Sequence, residues 1–213
     1  MTAKNQKKAA VKRRFRLLVL LAGIAVSVAS CQLSEREPPS VSSSPDSRLA
    51  EHKWAERMDL PGLPNLHKVS DGLYRGAQPT AEGMKQLDKF GIKTVVNLRF
   101  LISDRRMLKG TQLDYEHINT TTFTTETKDV IRFLKIATDQ ERTPVSVHCH
   151  RGVERTGVMC AAYRIVVQGW SKQEAIEEMT KGGFTSRPIK KNLLDYLRKM
   201  DVDRITRDAG LRK

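Results

Sequence analysis

Long apolar runs are scarce in this 213-residue sequence. The longest uncharged, mostly apolar stretch, residues 17–30 before Cys31-Gln32, is short of the roughly 20 apolar residues that a membrane-crossing helix needs. Cysteine is limited to Cys31, Cys149 and Cys160, which do not read as a disulfide framework. Aromatic residues make up 6% of the chain and no nucleic-acid-binding motif is present, so a nucleic-acid partner is not expected despite the net charge of +14. No internal repeat occurs, which excludes solenoids and propellers. Acidic residues are absent from the first thirty positions, which hold Lys4, Lys7, Lys8, Lys12, Arg13, Arg14 and Arg16. Setting those seven aside leaves 31 basic against 24 acidic side chains, an excess that suits an anionic substrate or simply a solvated surface.

The basic start followed by residues 17–30 has the pattern of a secretory signal. Its junction, Val28-Ala29-Ser30-Cys31, resembles a bacterial lipobox, in which the cysteine is lipidated and becomes the new N-terminus. The alternatives are an ordinary cleaved signal or a short uncleaved anchor, with Cys31 incidental. The expectation is a signal segment over residues 1–31, a linker over 32–60 and a catalytic domain over 61–213. The protein is then exported, periplasmic and lipid-anchored, and Gln32 favours the outer membrane. Pro38-Pro39-Ser40 and Ser42-Ser43-Ser44-Pro45 make the linker too polar to pack.

From about residue 65 the pattern is α/β. Residues 68–75 read as a strand or hairpin turning at Asp71-Gly72. Thr80 caps a helix running to Phe90, and Gly91 ends it. Residues 92–98 form a β-branched strand, followed by a short helix over 103–109 and a strand over 113–118. After a threonine-rich loop, apolar spacing predicts a helix over 126–139, then a buried strand over 144–148. Helices follow over 156–168, 171–180 and 187–200. This alternation predicts a mostly parallel sheet flanked by helices with a helical C-terminus, its ligand beyond the carboxyl ends of the strands.

The run His148-Cys149-His150-Arg151-Gly152-Val153-Glu154-Arg155-Thr156-Gly157 lies at such an end. A tight loop between strand and helix turns successive N–H groups inward as an anion nest, and the helix adds its positive end. Gly152 permits a backbone that other residues disfavour, and Arg155 can clamp two phosphate oxygens. His150, Arg151, Gly152, Val153, Glu154 and Arg155 are thus the phosphate-binding candidates. The same positive field lowers the Cys149 thiol pKa, so that the thiolate can attack phosphorus and form a cysteinyl-phosphate. Thr156 can donate to the thiolate when it leaves, and His148 orients the loop from behind. In an exported protein an exposed thiol risks oxidation, and a reactive role would explain Cys149. Chance Cys–Arg spacing is the bland alternative. A metal site on His148, Cys149 and His150 is disfavoured because adjacent residues at a strand end splay apart, so neither metal nor other cofactor is expected. Arg75 and Arg99, near strand ends, either reach substrate or sit on the surface. Cys160 reads as core rather than a redox partner, Lys190-Lys191 as a solvated face and Trp170 as packing.

That signature resembles the protein tyrosine phosphatase superfamily. Leu73-Tyr74-Arg75-Gly76-Ala77-Gln78-Pro79, Val95-Val96-Asn97-Leu98-Arg99 and Tyr163-Arg164-Ile165-Val166-Val167-Gln168-Gly169-Trp170 are similar to its bacterial, exported dual-specificity-phosphatase-like branch, and distantly to the branch acting on inositol pyrophosphates. The resemblance covers about residues 66–200. It implies a compact four- or five-stranded phosphatase fold, Cys149 as nucleophile and Arg155 as phosphate clamp. It also implies a general acid, usually Asp, from the loop before the penultimate helix, and here that position falls near Thr122. The carboxylates nearby are Glu154, Glu126 and Asp129, with Glu154 preferred because some bacterial relatives carry Asp there. The bland reading of Glu154 is a solvated loop residue, and of Glu126 a favourable charge in a first helical turn. The expected activity is phosphotyrosine hydrolysis, extending to phosphoserine or phosphothreonine. The alternatives are an inositol-phosphate phosphatase and a phosphoprotein-binding module with weak turnover. The partners follow: a phosphorylated protein or small phosphate ester, and a membrane through the lipid.

Overall fold

The computed structural model describes residues 53–121 and 124–211. The signal segment with Cys31 and most of the expected linker lie outside these residues.

The tight Asp71-Gly72 turn pairs two short strands, and that hairpin organises one side of the sheet. A two-residue strand, β1 (Glu56–Arg57), runs antiparallel to β2 (His67–Ser70), which pairs antiparallel with β3 (Leu73–Gly76). Helix α1 (Ala81–Lys89) begins where the Thr80 hydroxyl accepts the Gly83 N–H, as its sequence predicts. Next come β4 (Thr94–Asn97), β5 (Asp114–His117), α2 (Thr127–Thr138) and β6 (Val145–His148). The chain closes with α3 (Glu154–Val166), α4 (Lys172–Lys181), α5 (Lys191–Lys199) and α6 (Val202–Asp208). The sheet order is β1-β2-β3-β6-β4-β5, with β3, β6, β4 and β5 parallel.

Every residue of β3, β4 and β6 is buried, as expected of parallel strands covered on both faces. Alternation divides the core. Tyr74 and Val95 pack with Met84 and Leu87 of α1, whereas Leu73, Val96 and Val147 face Phe133, Met159, Met179 and Leu197 of α2 to α5. Helix α3 is buried from Thr156 to Ile165 and is the central strut of that second layer.

The sheet of the described residues has six strands rather than four or five. The extra one, β1, lies in the span expected to be linker. The Ala55 N–H donates to Glu178, whose carboxylate is buried against Arg164, and Arg164 also donates to the Val69 and Lys53 carbonyls. This clamp ties residues 53–57 to the domain, and the Arg164 guanidinium stacks 4.1 Å from the ring of buried Trp170. Residues 103–109 form turns and not the expected helix, because Asp104 turns its side chain inward and gives its N–H to the Tyr115 hydroxyl. Helix α5 starts at Lys191, after Pro188, which disfavours helical backbone before it. Helix α3 starts two residues earlier than expected, and α6, not anticipated, follows an Asp201 cap.

Candidate active site

Parallel register brings Gly76 of β3 and Asn97 of β4 to either side of His148, the last residue of β6. The segments that follow these strands therefore meet at one edge, and the turn over residues 149–153 lies between them. The turn is shaped by its carbonyls. His150 O accepts the Gln78 N–H at 3.2 Å, Arg151 O accepts Asn65 Nδ2 at 3.1 Å, and Gly152 O accepts Arg75 Nη2 at 2.9 Å. With three consecutive carbonyls bound from outside, the N–H groups are left to face inward, the arrangement of an anion nest. Gly152 has φ +71°, and a Cβ there would stand 2.5 Å from the Gly76 carbonyl group. Glycine is required on both counts.

Cys149 is 3% exposed at the base of this turn. Burial pushes its thiol up, but the Thr156 hydroxyl and N–H, the Arg155 charge and the Gly152 N–H together hold it below the ordinary thiol range. The Thr156 hydroxyl is fully buried with no completed hydrogen bond, which makes it the donor that a thiolate here engages. Arg155 Nη1 donates to the carbonyls of Leu98 at 3.1 Å and Thr120 at 3.4 Å, whereas its buried Nε has no partner. One edge of the guanidinium is held by the protein and the Nε edge is left for an anion.

Above the thiol is a cavity of about 440 Å³. Cys149, His150, Arg151, Val153, Glu154 and Arg155 line its floor and side. Arg99, Phe100 and Ile102 come from the segment after β4, and Thr185, Arg187 and Pro188 from the segment before α5. Among the described lining residues, four arginines against one carboxylate, Glu154, give a strong anion preference. Glu154 Oε2 lies 3.7 Å from Lys190 Nζ.

The comparisons with known proteins agree with this geometry. The family described as "DSP-PTPase phosphatase fused to NAD+ Kinase" matches residues 63–194. The chain belongs to that family. It is a cysteine-dependent phosphatase of the protein tyrosine phosphatase superfamily, dual-specificity type. It is 39% identical over 155 residues to the dual specificity protein phosphatase TpbA of Pseudomonas aeruginosa, covering 70% of this chain and 68% of that one. A crystal structure of a cysteine-to-serine variant of TpbA in complex with phosphotyrosine matches with a TM-score of 0.67 at 34% identity, over 76% of this chain and 98% of that one. The inositol diphosphatase DSP3 of Arabidopsis thaliana is 28% identical over 127 residues, covering 55% of this chain and 61% of that protein.

In this phosphatase the residues expected at the site separate. Cys149, the turn that follows it, Arg155 and Glu154 come together, and Arg99 joins them on the cavity wall. Arg75 does not reach the cavity. It is 1% exposed behind the turn, its guanidinium carbon 3.5 Å from the centre of the Phe184 ring, and it supports Gly152 instead. His148 is fully buried behind the turn, Nδ1 facing the Cys149 carbonyl at 3.3 Å. Glu126 pairs with Lys128 at 2.6 Å, and Asp129, raised by burial and by Glu126, sits on α2; neither lines the cavity. Thr122 lies outside the described residues. Cys160 is buried in the core, where desolvation raises its thiol to about 11. Lys190, expected on a solvated face, reaches Glu154. Sequence reasoning missed Arg187, Phe100 and Ile102. Arg187 was assigned to a helix, and Phe100 and Ile102, both exposed, follow β4 in an apolar triplet with Leu101 that was open to notice.

Proposed function

We propose that this phosphatase hydrolyses phosphotyrosine esters in proteins, with Cys149 as nucleophile. The observation that carries the reading is the lowered Cys149 thiol beneath a cavity that presents Arg155 Nε and the inward N–H groups of the turn. The thiolate attacks phosphorus, an S–P bond forms, and the P–O bond to the leaving group breaks. Arg155 and the N–H nest hold the three peripheral oxygens as charge redistributes. Glu154, the one carboxylate among the described lining residues, donates the proton to the leaving oxygen and then takes one from the attacking water. Water cleaves the S–P bond, and Thr156 donates to the departing thiolate. Phe100, Ile102 and Pro188 supply apolar wall for a phenyl ring, and the relative solved with phosphotyrosine supports the same substrate.

A second reading, hydrolysis of inositol phosphates, is favoured by Arg99, Arg151 and Arg187, more cations than one phosphate needs. A screen of phosphotyrosine peptide, phosphoserine peptide and polyphosphorylated inositol at matched concentration decides. Fastest phosphate release from the phosphotyrosine peptide is expected, and preference for the inositol overturns it. The N-terminal pattern supports export with a lipid on Cys31, tested by fatty-acid labelling of the expressed full chain that Cys31→Ala abolishes.

A further inference from the structure

We propose that Asn65 is a positioning residue for phosphate binding, its side-chain amide holding the Cys149 turn and the Arg187 segment to one another at the cavity. The inference rests on that turn being the phosphate site. Asn65 lies in the loop before β2, outside the 148–157 run and outside the cavity lining. Its amide nitrogen donates twice, to Arg151 O at 3.1 Å and to Phe184 O at 3.1 Å, partners 86 and 119 residues along the chain. A primary amide has two N–H groups, so both donors are used. The backbone around it is held as well. Pro64 O accepts the Ala77 N–H at 2.9 Å, and Asn65 O lies 3.0 Å from His67 Nδ1. Asn65 has φ +55°, a left-handed backbone that asparagine tolerates better than most residues with a Cβ. Asparagine meets both demands, the left-handed backbone and two side-chain donors. Glycine meets only the first, and an ionised aspartate cannot donate.

Each bond has a consequence at the cavity. Arg151 O and the Gly152 N–H belong to one planar trans peptide and point opposite ways. Holding the carbonyl from outside therefore aims the N–H inward, and the Gly152 N–H is one of the groups that act on Cys149. Remove the Asn65 amide and the peptide loses a donor that opposes its rotation. Any rotation turns the N–H out of the nest and brings a carbonyl oxygen toward the anion. The second bond fixes Phe184, from which the chain runs on to Thr185, Arg187 and Pro188 of the wall. The Phe184 ring is also packed by the Arg75 guanidinium at 3.5 Å and by the His67 ring at 4.7 Å, so the wall segment starts from a fixed point. Arg75 holds the next carbonyl, Gly152 O, by a separate bond that a change at Asn65 does not remove.

The test is inhibition by inorganic phosphate, with p-nitrophenyl phosphate as substrate, on the full chain carrying Asn65→Gly or Asn65→Ala, together with thermal unfolding of each. Glycine keeps the left-handed backbone and removes the amide, whereas alanine disturbs both. The expected result is a phosphate Ki raised roughly tenfold in both variants, the scale of two neutral hydrogen bonds. KM rises more than kcat falls, because the same N–H groups hold the ground state and the transition state. The melting temperature falls further in Asn65→Ala than in Asn65→Gly. A folded Asn65→Gly protein with the wild-type Ki overturns the proposal, even if it melts earlier, because that is a structural effect alone. If Asn65→Gly does not fold, Asn65→Ser, whose single hydroxyl cannot donate to both carbonyls, must raise Ki likewise; a wild-type Ki there also overturns it. Folded wild-type protein that neither turns over p-nitrophenyl phosphate nor binds phosphate would instead refute the phosphate-site reading.

Discussion

Lys190 Nζ stands 3.7 Å from the Glu154 carboxylate at the side of the cavity, joining the start of α3 to the segment before α5. The proposed proton donor, its side chain 16% exposed, therefore has a cation beside it next to the turn that binds phosphate. Glu154→Gln is expected to lower kcat by roughly 10²-fold on phosphotyrosine, whose leaving group needs the proton, and far less on p-nitrophenyl phosphate. Equal losses on both substrates, or no loss on phosphotyrosine, exclude that residue as the acid.

The two described cysteines are set apart by their surroundings. Cys149 is held below the ordinary thiol range by Thr156, Arg155 and Gly152 against the opposing effect of burial, and Cys160 is raised to about 11 by burial. Iodoacetamide at neutral pH is expected to modify Cys149 and leave Cys160 untouched in the folded protein, as read by peptide mass. The stability linkage runs in opposite senses. The Cys149 contribution is present above the unfolded thiol pKa and is lost as pH falls through the lowered folded value. The Cys160 contribution is present below the unfolded value and is lost as pH rises toward about 11. Cys160→Ala should therefore flatten the alkaline decline in melting temperature, whatever its cost at neutral pH.

Gly152→Ala tests the shape of the turn. The new methyl meets the Gly76 carbonyl group at 2.5 Å, and φ +71° is disfavoured for alanine. A stability loss of about 1–3 kcal/mol is expected, from the strain scale for such backbones. Phosphate competition and turnover fall together, because the N–H nest and the Cys149 environment change at once. Wild-type inhibition by inorganic phosphate in this variant would contradict the nest.

Arg75 contributes through packing as well as charge. It lies over the Phe184 ring and holds the Gly152 carbonyl, and burial lowers its pKa. Arg75→Met keeps much of the volume but leaves Gly152 O unsatisfied, a loss of about 1–3 kcal/mol. Arg75→Lys is not expected to rescue it, since an ammonium cannot stack as a planar guanidinium does. Thermal unfolding of both variants checks this.

Much of this was readable from the chain because it is written locally. The Asp71-Gly72 turn, the Thr80 cap and the 148–157 loop each carry their own residue chemistry, and the structure places strand, helix and turn there. What was not readable depends on partners distant in sequence. Arg75 and Arg99 both stand near strand ends, yet one is sealed behind the turn by Phe184 and the other lines the cavity. Strand β1 has two exposed residues with no periodic signal, and it exists because the Arg164–Glu178 pair holds the preceding backbone. Asp104 looked like part of a short surface helix; its burial follows from having Gln78, His148 and Tyr115 around it.

Phosphate release from a phosphotyrosine peptide by the full chain, wild type against Cys149→Ser, addresses the proposed chemistry most directly. Multiple turnovers by the wild type are expected, with none by the serine variant, which still folds and still binds the peptide. Phosphate release undiminished in Cys149→Ser, or none from correctly folded wild type, would contradict it.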